Sequence, residues 1–192
     1  MSTLHIRELF TSSHRGWDEI GVIHPSVVKL FVFLVIPLSL VPPMMLEYVG
    51  RNGVLGNLPY GGAQNWNATV VAFYLAELLS VPLMAWGIRT MAAIREYTCD
   101  YHDAFTLAAI APVPLWLSAL GLFSGSQAIS VGVALLGLVA SVILIFRGVE
   151  GILRVKEDVV AFDIAYRVTA LGVSAWIAFI LLGLSPLFPT AG

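Results

Sequence analysis

Two groups of residues in the 192-residue chain have types and spacing that could do chemistry. The first is a lone carboxylate, Glu77, in YLAELLSVPLMAWGIR (residues 74–89), an apolar run with no basic residue before Arg89. An acid inside a membrane is a candidate for proton or cation handling, because a buried charge without a partner is costly. Its own helix offers Tyr74 at i−3 and Ser80 at i+3, and Ser39 or carbonyls freed by proline could add to them from a facing span. The second group is YTCDYHDAF (residues 97–105), where Cys99, Asp100, His102 and Asp103 supply the ligand types of a metal site. Four ligands this close together rarely converge from one segment, so help from His14 or His24 would be required. Glu47 and Arg51, at i and i+4, form a third and simpler candidate, an ion pair one helical turn apart.

Enzymatic chemistry finds no comparable pattern. The chain has no nucleophile elbow, no phosphate-cradling glycine loop and no zinc-protease helix. Histidines and deep acids fall on opposite sides of the expected membrane, so no acid–base pair shares a depth. The residues predict no catalytic group, no cofactor and no enzyme.

The elements that must position these residues are helices in lipid. The chain is 58% hydrophobic and only 11% charged, with mean hydropathy +0.88. Soluble domains carry about 25% charged residues, so this surface is too poor in charge for water. Five windows, 27–47, 69–89, 104–123, 127–147 and 166–188, are long and apolar enough to span a bilayer. The expectation is an all-α integral membrane bundle of five transmembrane helices in residues 27–192. Residues 1–26 are a polar segment of mixed charge that carries an N-terminal amphipathic interfacial helix. Phe10, Trp17 and Ile20 are its interfacial anchors, facing lipid or packing over the bundle end. A single cysteine, Cys99, excludes an intrachain disulfide.

Charge asymmetry sets an expected orientation. Arg7, Arg15, Lys29, Arg89, Arg95, Arg147, Arg154, Lys156 and Arg167 share one side and Arg51 alone takes the other. Basic residues stay cytoplasmic, so the N-terminus is expected inside and the C-terminus outside. Prolines at 37, 42, 43, 82, 112 and 114 should kink the first three spans. Small residues recur every four positions on spans 2, 4 and 5, including Gly137 with Ser141 and Ala170 with Ser174 and Ala178, which lets backbones approach closely.

Three segments resemble the Yip1 family of polytopic membrane proteins in its bacterial branch. SSHRGWDEIGVIHPS is similar to that family's short interfacial helix, with a basic residue and Trp before an acidic pair. DAFTLAAIAPVPLWLSALGLF resembles its third span, where proline follows small residues, and FRGVEGILRVKEDVVAF its charged exit from span 4. Where family members often carry a tyrosine before that proline, this chain has Ala108, Ala109, Ile110 and Ala111. The resemblance implies membrane organisation by protein or lipid contacts, with no defined chemistry. The expected partners are the bilayer, a membrane or cytoplasmic protein and a second copy of the chain, with no nucleic acid, and the expected location is a bacterial inner membrane. The competing expectation is a small proton- or cation-linked channel or transporter using the kinked spans 1–3 and Glu77. A transporter needs a polar cavity that reaches Glu77 from water; a scaffold can bury it dry.

Overall fold

In a computed structural model the fold is described for residue 17 and residues 25–52, 66–155 and 157–184. Five helices long and apolar enough to cross a membrane account for nearly all of these residues. They are α1 (Val27–Asn52), α2 (Trp66–Ile94), α3 (Tyr101–Ser124), α4 (Gln127–Gly151) and α5 (Asp158–Leu184). No strand occurs among the described residues, so the all-α class holds. The N-terminal interfacial helix, with Phe10 and Ile20, and the loop 53–65 lie outside the described residues.

The helices outrun the apolar windows at the polar ends: α5 begins at Asp158 rather than 166, and α2 runs on to Ile94. Hydrophobicity marks where lipid stops, but the hydrogen-bond ladder continues into water until a cap intervenes. α2 and α4 both end on residues in left-handed backbone, Glu96 (φ 57°) and Arg154 (φ 54°). Between them the Tyr97 hydroxyl donates to the Arg154 carbonyl at 2.7 Å, tying the two connections together.

Proline breaks two spans and leaves one whole. α1 opens through a π turn at Phe31–Val35 before Pro37, then turns at Leu40 ahead of Pro42 and Pro43. Proline supplies no backbone N–H and its ring crowds the preceding turn, and the Leu40 N–H points to Leu38 instead of Ile36. α3 is interrupted at Ala111–Pro112 and finishes as a 3₁₀ turn over Ala119–Ser124. α2 carries Pro82 with its helix unbroken.

Helices α2, α3, α4 and α5 pack in a cycle, each on the next and α5 back on α2, while α1 lies in the groove of α2 and α3. Burial is greatest for α3, at 44% of its apolar window against 11% for α5. α3 is therefore the central post and α5 the loosely held stave. Packing is tightest at the basic end, where Ala104, Leu107, Val149, Ile164 and Ala165 are wholly buried. On α5, buried residues run from Ala161 to Val168 and resume only at Gly183. There Asp163 accepts from Arg95 at 2.8 Å and from Arg167 at 2.7 Å, joining α2 to α5.

Two glycines on α4 set the close approaches. At Gly137 an added Cβ would lie 2.7 Å from the Ser118 Cβ and 2.9 Å from the Pro114 carbonyl oxygen, so α4 touches α3 backbone there. At Gly148 it would strike the Leu107 side chain and lie 3.2 Å from the Trp17 ring. The Gly137–Ser141 pair thus works within the chain, whereas Ala170, Ser174 and Ala178 on α5 are exposed.

Candidate functional site

Glu77 is 4% exposed and sits in the wall of a cavity of about 370 Å³ enclosed by α2–α5, with α1 touching its rim. The local sequence puts it there. Phe73, Glu77, Val81 and Ile88 recur at helical spacing on one face of α2 and are buried, while Leu75, Leu79, Leu83 and Trp86 face outward. Aliphatic and aromatic side chains make up almost all of the cavity wall. The basic end of the cavity is closed by the tight packing around Leu107 and Val168. Toward the far end it reaches Ile180 and Leu184, which are 40% and 37% exposed, so the space opens beside α5.

The neighbour of the carboxyl is one the sequence reading did not name. The indole of Trp116 on α3 lies beside the Glu77 carboxyl in the cavity wall, and one carboxyl oxygen, Oε2, has no partner among the described residues. Depth was the available signal. Glu77 lies about 16 Å from the far end of α2, and Trp116 lies about 15 Å from the far end of α3 once the 3₁₀ rise is counted. A buried indole N–H needs an acceptor, and Glu77 is the acid at that level.

The three groups expected around Glu77 are engaged elsewhere. Ser80 Oγ donates to the backbone carbonyl of Glu77 at 2.7 Å, not to its carboxyl. Tyr74 Oη donates across to the Ile36 carbonyl at 3.3 Å, and Ser39 Oγ shares that acceptor at 3.5 Å. That carbonyl is free because the break before Pro42 withdraws the Leu40 N–H from it. Proline does liberate an acceptor, then, but Tyr74 takes it. Glu47 and Arg51 do form an ion pair one turn apart at the far end of α1. With the Arg51 side chain 70% exposed, it contributes little to stability.

The cluster from Cys99 to Asp103, at the basic end of the bundle, does not converge. His102 Nε2 lies 2.8 Å from the Pro25 carbonyl oxygen, and Nδ1 is 3.5 Å from Asp103. The Cys99 thiol points to the Asp100 carbonyl at 3.3 Å. No group of three or more His, Cys, Asp or Glu among the described residues is arranged to hold a metal. The physical reason is that Tyr101 starts a helix, which turns successive side chains to different faces. Burial, with help from the charge of Asp103, pushes the Cys99 thiol from about 9 up to about 11. The thiolate is the nucleophile, so a raised value means slower reaction below pH 11. Iodoacetamide at pH 8 should alkylate Cys99 more than tenfold slower in the folded protein than in the denatured chain. Equal rates would contradict the buried thiol.

Of the two placements expected for Trp17, facing lipid or packing over the bundle end, it takes the second. It is wholly buried, with its ring against Gly148, inside the same core as Leu107 and Val149. The missing side chain of Gly148 leaves room for a ring, and burying a large aromatic surface is worth more than leaving it at the headgroups. Its indole N–H has no partner among the described residues.

A helical membrane bundle built around an apolar cavity, with one buried acid in its wall, is the class that fold and site define. The Yip1 domain model matches residues 7–188, almost the whole chain, and the protein belongs to the Yip1 family. No curated protein and no solved structure matches it.

Proposed function

We propose that this protein organises its membrane through lipid and protein contacts, without catalysis, rather than moving ions or protons. One observation carries the reading: the cavity that reaches Glu77 is walled almost wholly by apolar side chains. A permeating cation or proton would need polar groups or water along its path. None of the other described acids lies at the depth of Glu77; Asp103, Glu150 and Asp163 are at the basic end and Glu47 near the far end of α1. No relay can be drawn. The charge bias supports an orientation with the N-terminus cytoplasmic and the C-terminus outside; a bacterial inner membrane as the host rests on the resemblance of the three segments to the family's bacterial branch. The exposed small-residue face of α5, Ala170 with Ser174 and Ala178, suits contact with a second helix, from a partner protein or another copy.

The test is flux in proteoliposomes, wild type beside Glu77→Gln. Neither should pass protons or common mono- and divalent cations above the level of empty vesicles. Flux in wild type that Gln abolishes, with folding intact, would overturn the reading in favour of transport.

A further inference from the structure

Buried polar atoms without hydrogen-bond partners are rare in folded proteins and each calls for an explanation. Among the described residues four side-chain atoms are in that state, and three of them, Glu77 Oε2, Ser141 Oγ and Thr169 Oγ1, belong to residues lining the one cavity. Glu77 and Ser141 are 4% and 6% exposed. The three come from three different helices, α2, α4 and α5, so no local backbone motif explains them. Measured from the far ends of their helices, Ser141 lies about 21 Å deep and Thr169 about 22 Å. Glu77, at about 16 Å, is one helical turn above them. The arrangement is a polar zone at mid-membrane beneath an apolar chamber that opens beside α5.

We propose that the cavity binds an uncharged membrane amphiphile with a hydroxyl head, a lipid alcohol, its head against Glu77, Ser141 and Thr169 and its chain directed toward the far end. A hydroxyl both donates and accepts, so it satisfies the free oxygen of Glu77 and a Ser or Thr hydroxyl at once. A phosphate-bearing head does not fit this zone, because no Lys, Arg or His lines the cavity and the one ionisable group there is an acid. Water could meet the same three atoms, which fall within the two to four polar partners it needs, but it would leave the larger, apolar part of the 370 Å³ unmatched. Pockets for small ligands run from about 300 to 1,000 Å³ with mostly apolar walls and a few placed polar groups, and this one has that make-up. The inference deepens the lipid-contact part of the proposed function and rests on it. It is decided by binding, whereas that function is decided by flux, so either can fail alone.

The experiment uses the full chain in phosphatidylcholine nanodiscs and a photoactivatable hexadecanol carrying a diazirine in its chain. Saturable labelling should map to cavity residues on α4 and α5, including the region of Trp176. Unlabelled hexadecanol should compete, while hexadecyl methyl ether, which lacks the donor, should compete at least tenfold more weakly. Ser141→Ala with Thr169→Val should weaken binding about tenfold. The same pair should raise the melting temperature of the empty protein, because it removes two unsatisfied hydroxyls; a merely structural role would lower it. Gly172→Leu should abolish labelling, since an added Cβ there meets only Met84, at 3.9 Å, and the longer side chain fills the chamber. The proposal is overturned by labelling spread over lipid-facing positions, or by equal competition from the methyl ether, which would mean that any acyl chain fills the space. It is also overturned if hexadecylamine competes tenfold better than the alcohol, which would make the site one for cations.

Discussion

Gly148→Val is expected to destabilise the protein by about 2–3 kcal/mol. Replacing glycine inside a helix would ordinarily help, by up to about 1 kcal/mol. At Gly148 that gain is outweighed, because the new atoms enter space already held by two wholly buried side chains, Leu107 of α3 and Trp17. Neither has anywhere to go: Leu107 is enclosed at the tight end of the bundle, and the Trp17 ring lies against the backbone of α4. The matched control is Gly132→Val on the same helix, where a Cβ meets nothing within 4 Å. Thermal unfolding in detergent, followed by tryptophan fluorescence, should show a lowered transition for the first variant and an unchanged one for the second. Coincident transitions for the two would remove the claim that Trp17 and Leu107 lock α4 in place.

The second large effect concerns the contact between Trp116 and Glu77. Trp116→Phe should cost about 2 kcal/mol, because the carboxyl loses the polar neighbour that the indole supplies while remaining buried. Adding Glu77→Leu removes the stranded group, so the double variant should be more stable than Trp116→Phe alone. This is the usual asymmetry of buried polar pairs: breaking one is worse than replacing both partners with apolar groups. The double-mutant cycle should give a coupling of about 1–2 kcal/mol. Additivity within about 0.5 kcal/mol would mean that the two side chains do not interact. The result also bears on transport. A carboxyl whose replacement by leucine is tolerated, with assembly intact, serves packing or ligand binding more readily than proton movement.

The chain's membrane character was legible because it depends on sums over many residues. Apolar length fixed five spans, and strand could not compete, since lipid leaves no water to satisfy an open sheet edge. Clustering of basic residues at one end was likewise readable, as was the presence of breaks near Pro37, Pro42 and Pro112, where a backbone donor is missing whatever the neighbours do. Proline did not settle the outcome at every site: α2 runs through Pro82 while α3 gives way at Pro112. Glu77 stood out as a buried acid because its helix has no base near it.

What only the tertiary structure decided is which groups meet. Tyr74, Ser80 and Ser39 were within reach of Glu77 by spacing, yet each found a carbonyl acceptor, and the carboxyl went to Trp116, 39 positions away in the chain. Trp17 has an amphipathic context in sequence, but the notch at Gly148, 131 positions later, determines that it is buried. Cys99 and His102 have ligand chemistry, but the helix start at Tyr101 turns them apart. The cavity itself has no linear signature, because its lining residues are drawn from all five helices. The sequence by itself determined where the chain lies in lipid, since transfer free energy is additive along it. The pairing of side chains and the space left between helices depend on how rigid, irregular surfaces fit, and that information exists only once the helices are together.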